Sequence, residues 1–116
     1  MDENFSQSPL SFEDALKIQQ LPIDPLDKHH IRLLAHCLEC FKKIAVDNDL
    51  DSMPSSQQIS NWCKKILSND DEEFFHLFFS QLENASTQLK NIGKEIGKYP
   101  LSIDLEDLIE ALARDR

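Results

Sequence analysis

The chain has 116 residues, 21 acidic against 12 basic side chains for a formal charge of −9, and is 41% hydrophobic and 28% charged. That apolar content is too high for a disordered chain, no apolar run approaches the ~20 residues that cross a bilayer, and the negative balance opposes binding to a phosphate backbone. An acidic globular chain of single-domain size remains.

Residues 1–10 are polar and read as a flexible segment, which leaves 11–116 as one helical domain. They carry Asp2 and Glu3 and lack the basic and apolar regions of a secretory signal. The two glycines are too few for the turns of a strand-rich fold, and apolar spacing is helical nearly throughout. Ser11 is placed to cap a first short helix, with Asp14 three residues on, an inner side of Phe12, Ala15, Leu16 and Ile18, and Pro22 as its stop.

Asp24-Pro25 opens a long helix, an N-cap oxygen followed by proline at the first helical position, running to about Val46. Its expected inner side is Leu26, His30, Leu33, Leu34, Cys37, Leu38, Cys40, Phe41, Ile44 and Ala45, with Lys42 and Lys43 toward the negative end of the dipole. After a polar loop, Pro54-Ser55-Ser56 starts a third helix with Ile59, Trp62, Cys63, Ile66 and Leu67 inward and Lys64 and Lys65 at its end. Asn69 or Asp70 caps a fourth, long helix whose first turn is loaded with Asp71, Glu72 and Glu73. Its stripe is Phe74, Phe78, Leu82, Ala85, Leu89, Ile92 and Ile96, and Gly93 or Gly97 ends it before Pro100. Ser102 or Asp104 caps a last helix with Leu105, Leu108, Ile109 and Leu112 inward. The expectation is an all-α, single-domain antiparallel bundle of about five helices, two long and three short.

Motifs that carry chemistry are weak. Cys37-Leu38-Glu39-Cys40 has redox spacing but falls deep inside a helix, away from the N-terminal dipole that activates a thiol. His36 and Cys40 share a helical face, and with Cys63 they supply three of the ligands a metal needs. His29 is too far along the axis to join His36 on one ion. Glu73-Phe74-Phe75-His76 has the spacing of a di-iron half-site, but the second copy is missing and His76 falls on the polar face. His30 points toward the core at the start of its helix. A phosphate loop and a nucleophile elbow are both missing, so the chain reads as a non-enzyme without a cofactor. Three cysteines, an odd number, read as reduced thiols of a cytoplasmic protein.

The strongest anomaly is Phe74-Phe75-His76-Leu77-Phe78-Phe79, which widens the apolar arc to roughly 200° where a surface helix needs little more than 100°. Either neighbours cover this helix on both sides, or Phe75, Leu77 or Phe79 stays available to a partner. Lys90, Lys94 and Lys98 recur on the outer face of the same helix and read first as a solvated ridge, with an acidic partner or the acidic last helix, which carries Glu106 and Glu110 outside, as the alternative they meet. The resulting expectation is a protein–protein interaction module, an adaptor, regulatory subunit or small chaperone-like protein, that binds a protein partner or a second copy of itself through the Phe-rich helix and the acidic last helix. Two other readings stand beside it: an acidic inhibitor or nucleic-acid mimic filling a basic cleft, and a metal- or thiol-dependent protein built on His36, Cys40 and Cys63. Neither nucleic acid nor membrane is expected as a partner.

Overall fold

The computed structural model describes residues 12–67 and 72–114. Their regular elements are α1 (Phe12–Gln19), α2 (Pro25–Asp47), α3 (Ser56–Ile66), α4 (Glu72–Ile96), a 3-10 turn (Pro100–Ser102) and α5 (Leu105–Arg114). Among the described residues the fold is therefore the all-α bundle of two long and three short helices. The segment 1–10, the Ser11 cap, the Asn69 or Asp70 cap and Asp71 lie outside the described residues.

Local chemistry sets the helix starts. The Asp24 carboxylate accepts the backbone N–H groups of Leu26 and Asp27, both at 3.1 Å, with Pro25 at the first helical position. Ser55 and Gln58 form a reciprocal capping box on α3: the Gln58 N–H donates to Ser55 Oγ at 3.2 Å and the Ser55 N–H to Gln58 Oε1 at 2.9 Å. Asp104, rather than Ser102, opens α5, and Asp107 plays the reciprocating part. The Asp107 N–H donates to Asp104 Oδ1 at 2.9 Å and the Asp104 N–H to Asp107 Oδ2 at 3.0 Å.

Helix ends depart further from expectation. α2 continues to Asp47, so Lys42 and Lys43 stand upstream of its last turn, which holds no basic residue. Asn48 closes that end instead, donating both its backbone N–H and its Nδ2 to the Ile44 carbonyl at 3.0 and 2.8 Å, while Asp49 takes a left-handed φ of 57°. At the end of α4 the two glycines divide the work. Gly97 is the left-handed residue, at φ 73°, and the Lys98 N–H returns to the Gly93 carbonyl at 2.9 Å. Gly93 lies inside the helix, where a Cβ would stand 2.7 Å from the Lys98 carbonyl oxygen. Its lack of a side chain lets the chain turn back close over the helix.

α2 is the central helix, touching α1, α3, α4, α5 and the 3-10 turn. Being covered from several sides, it buries a wide arc: Ile31, Leu34, Ala35, Cys37, Leu38, Phe41, Ile44 and Ala45. This corrects its expected inner side. Leu26, in the first turn, is 76% exposed, with no element among the described residues covering it, while Ile31 and Ala35 are core. His30, Leu33 and Cys40 are half-buried. In the short α1, Ile18 is buried but Leu16 is exposed. α3 buries Ile59 and Cys63 and leaves Ile66 exposed. α4 buries only its later turns, through Leu82, Ala85, Ser86, Leu89 and Gly93. α5 seats Leu108 and Ala111, and Ile103 from the preceding connection is fully enclosed.

Candidate functional site

The Phe-rich stretch occupies the first turns of α4, beyond the region where α4 is buried. Its rings pair at helical i, i+4 spacing: Phe75 stacks on Phe79 at 5.9 Å between centroids, and Phe74 stacks on Phe78 at 6.1 Å. The first pair is half-buried and packs on the core, so Phe75 and Phe79 are mainly structural. The second runs on to Trp62 of α3, whose ring lies 6.3 Å from Phe78. At the outer end of this aromatic row Phe74 is 49% exposed, and Leu77 on the next flank is 65% exposed. Ile66, in the last turn of α3, is likewise exposed, at 48%. The expected choice between a covered helix and a presented one is thus divided along α4, which is covered by neighbours in its later turns and presents its start. Phe74 was expected in the buried stripe, and its exposure corrects that reading. His76 is exposed beside these rings, its imidazole edge-on to Phe75 at 5.4 Å.

The charged candidates separate in the same way. Lys90 and Lys94 are exposed on the outer face of α4. Lys98 does not continue their row, because the helix ends at Ile96 and the left-handed Gly97 redirects the chain. Its Nζ donates to Asp107 Oδ2 at 2.6 Å and lies 3.9 Å from Asp104. The Asp107 hydrogen bond, with the charges of Asp104, Asp107 and Glu110, raises the Lys98 pKa above its ordinary value. The Lys98 hydrogen bond and those from Asp104 in turn lower that of Asp107. Glu106 pairs with Lys17 of α1, and Arg114 reaches Glu95 of α4 at 3.4 Å. Lys98 and Glu106 therefore serve to fasten α5, whereas Glu110 stays exposed on its outer face.

The thiols sit in the opposite environment from a reactive one. Burial pushes Cys37 up to about 12 and Cys63 up to about 11, in both cases reinforced by Cys40, and burial also raises Cys40. Burial, then the neighbouring Arg32, lowers the pKa of His36. Among the described residues no three His, Cys, Asp or Glu side chains come together in a group that could hold a metal ion, so His36, Cys40 and Cys63 do not form the expected ligand set. His30 lines a small cavity of about 170 Å³ between α2, α4 and α5, with Gln88, Asn91 and Glu95 on its polar side.

Residues 10–116 match the family model for the NDH complex assembly factor CRR9. The chain belongs to this family. No curated protein and no solved structure matches it. Membership in a family of assembly factors fits an assembly or adaptor role that involves protein partners. Within the described residues no helix is long and apolar enough to cross a membrane.

Proposed function

We propose that this CRR9-family chain is a non-enzymatic docking module that holds an apolar surface of an NDH complex subunit during assembly, through the end of the bundle formed by Ile66, Phe74 and Leu77. The observation that carries the reading is the exposure of Phe74 and Leu77, at 49% and 65%, on a helix whose neighbouring rings are stacked into a fixed row. Aromatic and aliphatic side chains already ordered in the free protein lose little freedom on binding, and aromatics concentrate at interface centres. Lys90 and Lys94 lie more than three turns further along α4 and stand apart from this end. Three thiols support a reducing, cytoplasm-like compartment for this activity.

The mimic reading loses support from the carboxylates themselves. Asp24, Asp104 and Asp107 cap helices, and Glu39, Glu95 and Glu106 are ion-paired within the chain.

The test is a photo-crosslinking residue placed at position 77, with position 90 as control, in cells that assemble the complex. Crosslinks from 77 to NDH complex subunits support the docking end, and crosslinks between two copies assign it to a homodimer. The companion variant Leu77→Asp keeps its far-UV circular dichroism and lowers the amount of assembled complex. Normal assembly with a folded Leu77→Asp protein refutes the proposal.

A further inference from the structure

We propose that the cleft between the end of α2 and the face of α3 receives an acidic segment of a partner protein, one apolar side chain of which lies against Trp62. Two hollows meet at this ring. One, of about 350 Å³, is bounded by Lys42, Lys43 and Val46 of α2, and the other, of about 120 Å³, by Asn61 and Lys65 of α3. Val46 is 78% exposed and forms an apolar wall. The Trp62 ring is half-buried and backed by Phe78 at 6.3 Å, so it forms a fixed floor and not a loose flap.

Charge selects the occupant. The chain carries −9 overall, and Lys17, Lys98 and Arg114 each have a carboxylate of the chain as partner. At the cleft Lys42 is shared with Glu39 at 3.2 Å, but among the described residues no carboxylate pairs with Lys43 or Lys65. The three lysines outnumber the two acids of the lining, Glu39 and Asp47. Unneutralised ammonium groups on both sides of an aromatic floor, in a protein of the opposite net sign, fit an extended acidic chain with an aliphatic anchor. A half-buried ring held between α2 and α3 favours such a chain over a bilayer, because it does not project into a flat surface. The cleft lies across the Trp62–Phe78 contact from the Leu77 end, and its chemistry is independent of docking there.

Trp62 is the chain's single tryptophan, so its emission reads the cleft without a label. The full chain is titrated with a fluorescein-tagged peptide of sequence Glu-Asp-Leu-Glu-Glu and with the same peptide carrying Lys in place of each acid. The expected result is a saturable blue shift of Trp62 and a rise in peptide anisotropy with the acidic peptide alone, both weakened by added salt. Binding falls roughly tenfold in a Lys43→Glu/Lys65→Glu double variant, falls less in Lys43→Gln/Lys65→Gln, and is unchanged in Leu77→Asp. Circular dichroism of each variant shows that the fold persists. Equal binding of the basic peptide, or wild-type binding by the charge-reversed variant, overturns the proposal. So does a Trp62 response to phosphatidylglycerol vesicles but not to peptide, or one that grows with protein concentration alone, which assign the cleft to a membrane or to a second copy.

Discussion

Gly93→Ala gives the most demanding test of how α4 ends. In an ordinary helix interior this change stabilises by about 1 kcal/mol, because alanine loses less backbone freedom. Here the new Cβ stands 2.7 Å from the Lys98 carbonyl oxygen and 3.5 Å from the Pro100 nitrogen. The oxygen belongs to backbone and cannot rotate away. The same turn is held by the Lys98 N–H on the Gly93 carbonyl at 2.9 Å. Overpacking of this kind costs about 1–3 kcal/mol, and bending the hydrogen bond adds about 1 kcal/mol. Subtracting the propensity gain leaves a net loss of about 1–3 kcal/mol. Gly97→Ala is the comparison: its Cβ meets nothing within 4 Å, and only the left-handed φ of 73° opposes it, at a cost of about 1 kcal/mol. Urea unfolding followed by circular dichroism measures both, with a lower midpoint and an unchanged slope expected. For a domain of this size each kilocalorie lowers the melting temperature by about 4 °C. A Gly93→Ala protein with a raised midpoint would refute the close-approach argument and return Gly93 to the status of a weak helix residue.

Lys98→Met should lower stability near neutral pH but not at the extremes. The depressed Asp107 contributes above the ordinary aspartate pKa and loses its contribution as pH falls through its lowered value, while the raised Lys98 contributes below the ordinary lysine pKa and fails as pH rises through its raised value. Urea midpoints of both proteins across pH should therefore converge in strong acid and strong alkali. Asp24→Ala removes the acceptor for two amides at the head of α2 and should cost about 1 kcal/mol in the same assay, with no loss of helix elsewhere. Native Cys37 and Cys63 should resist iodoacetamide at mildly alkaline pH and label only on addition of urea, with the half-buried Cys40 first; mass spectrometry of labelled peptides decides, and rapid native labelling of Cys37 contradicts its raised pKa.

Helix starts are legible in the sequence because they depend on neighbours three residues apart. Asp24-Pro25 and Ser55 with Gln58 each contain the whole of their cap. Lateral packing is less legible, since periodicity states which side chains share a face but not how far a neighbouring helix extends. Leu26 and Phe74 both lie on apolar stripes, and both are exposed because no other helix among the described residues covers that turn fully. Ile31 and Ala35 turned out to be core because α2 is covered from more than one side. Lys98 was misplaced for another reason: an ideal helix carries the spacing of Lys90 and Lys94 onward, whereas Gly97 breaks it one residue earlier. The cleft at Trp62 gave no signal in the sequence, because Val46 and Lys65 are brought beside it only when α2 and α3 pack.

The central position of α2 sets how the molecule comes apart. α1 and α5 rest chiefly on α2, and each contributes few enclosed side chains, whereas α3 and α4 rest on α2 and on each other. The bundle is thus a three-helix trunk bearing two leaves, clipped together where Lys17 meets Glu106. Amides of α1 and α5 can exchange with solvent by peeling of single leaves, while those around Phe41 and Ile44 must wait for the trunk to open. A partner that gripped either leaf would leave the trunk and both of the surfaces described above in place.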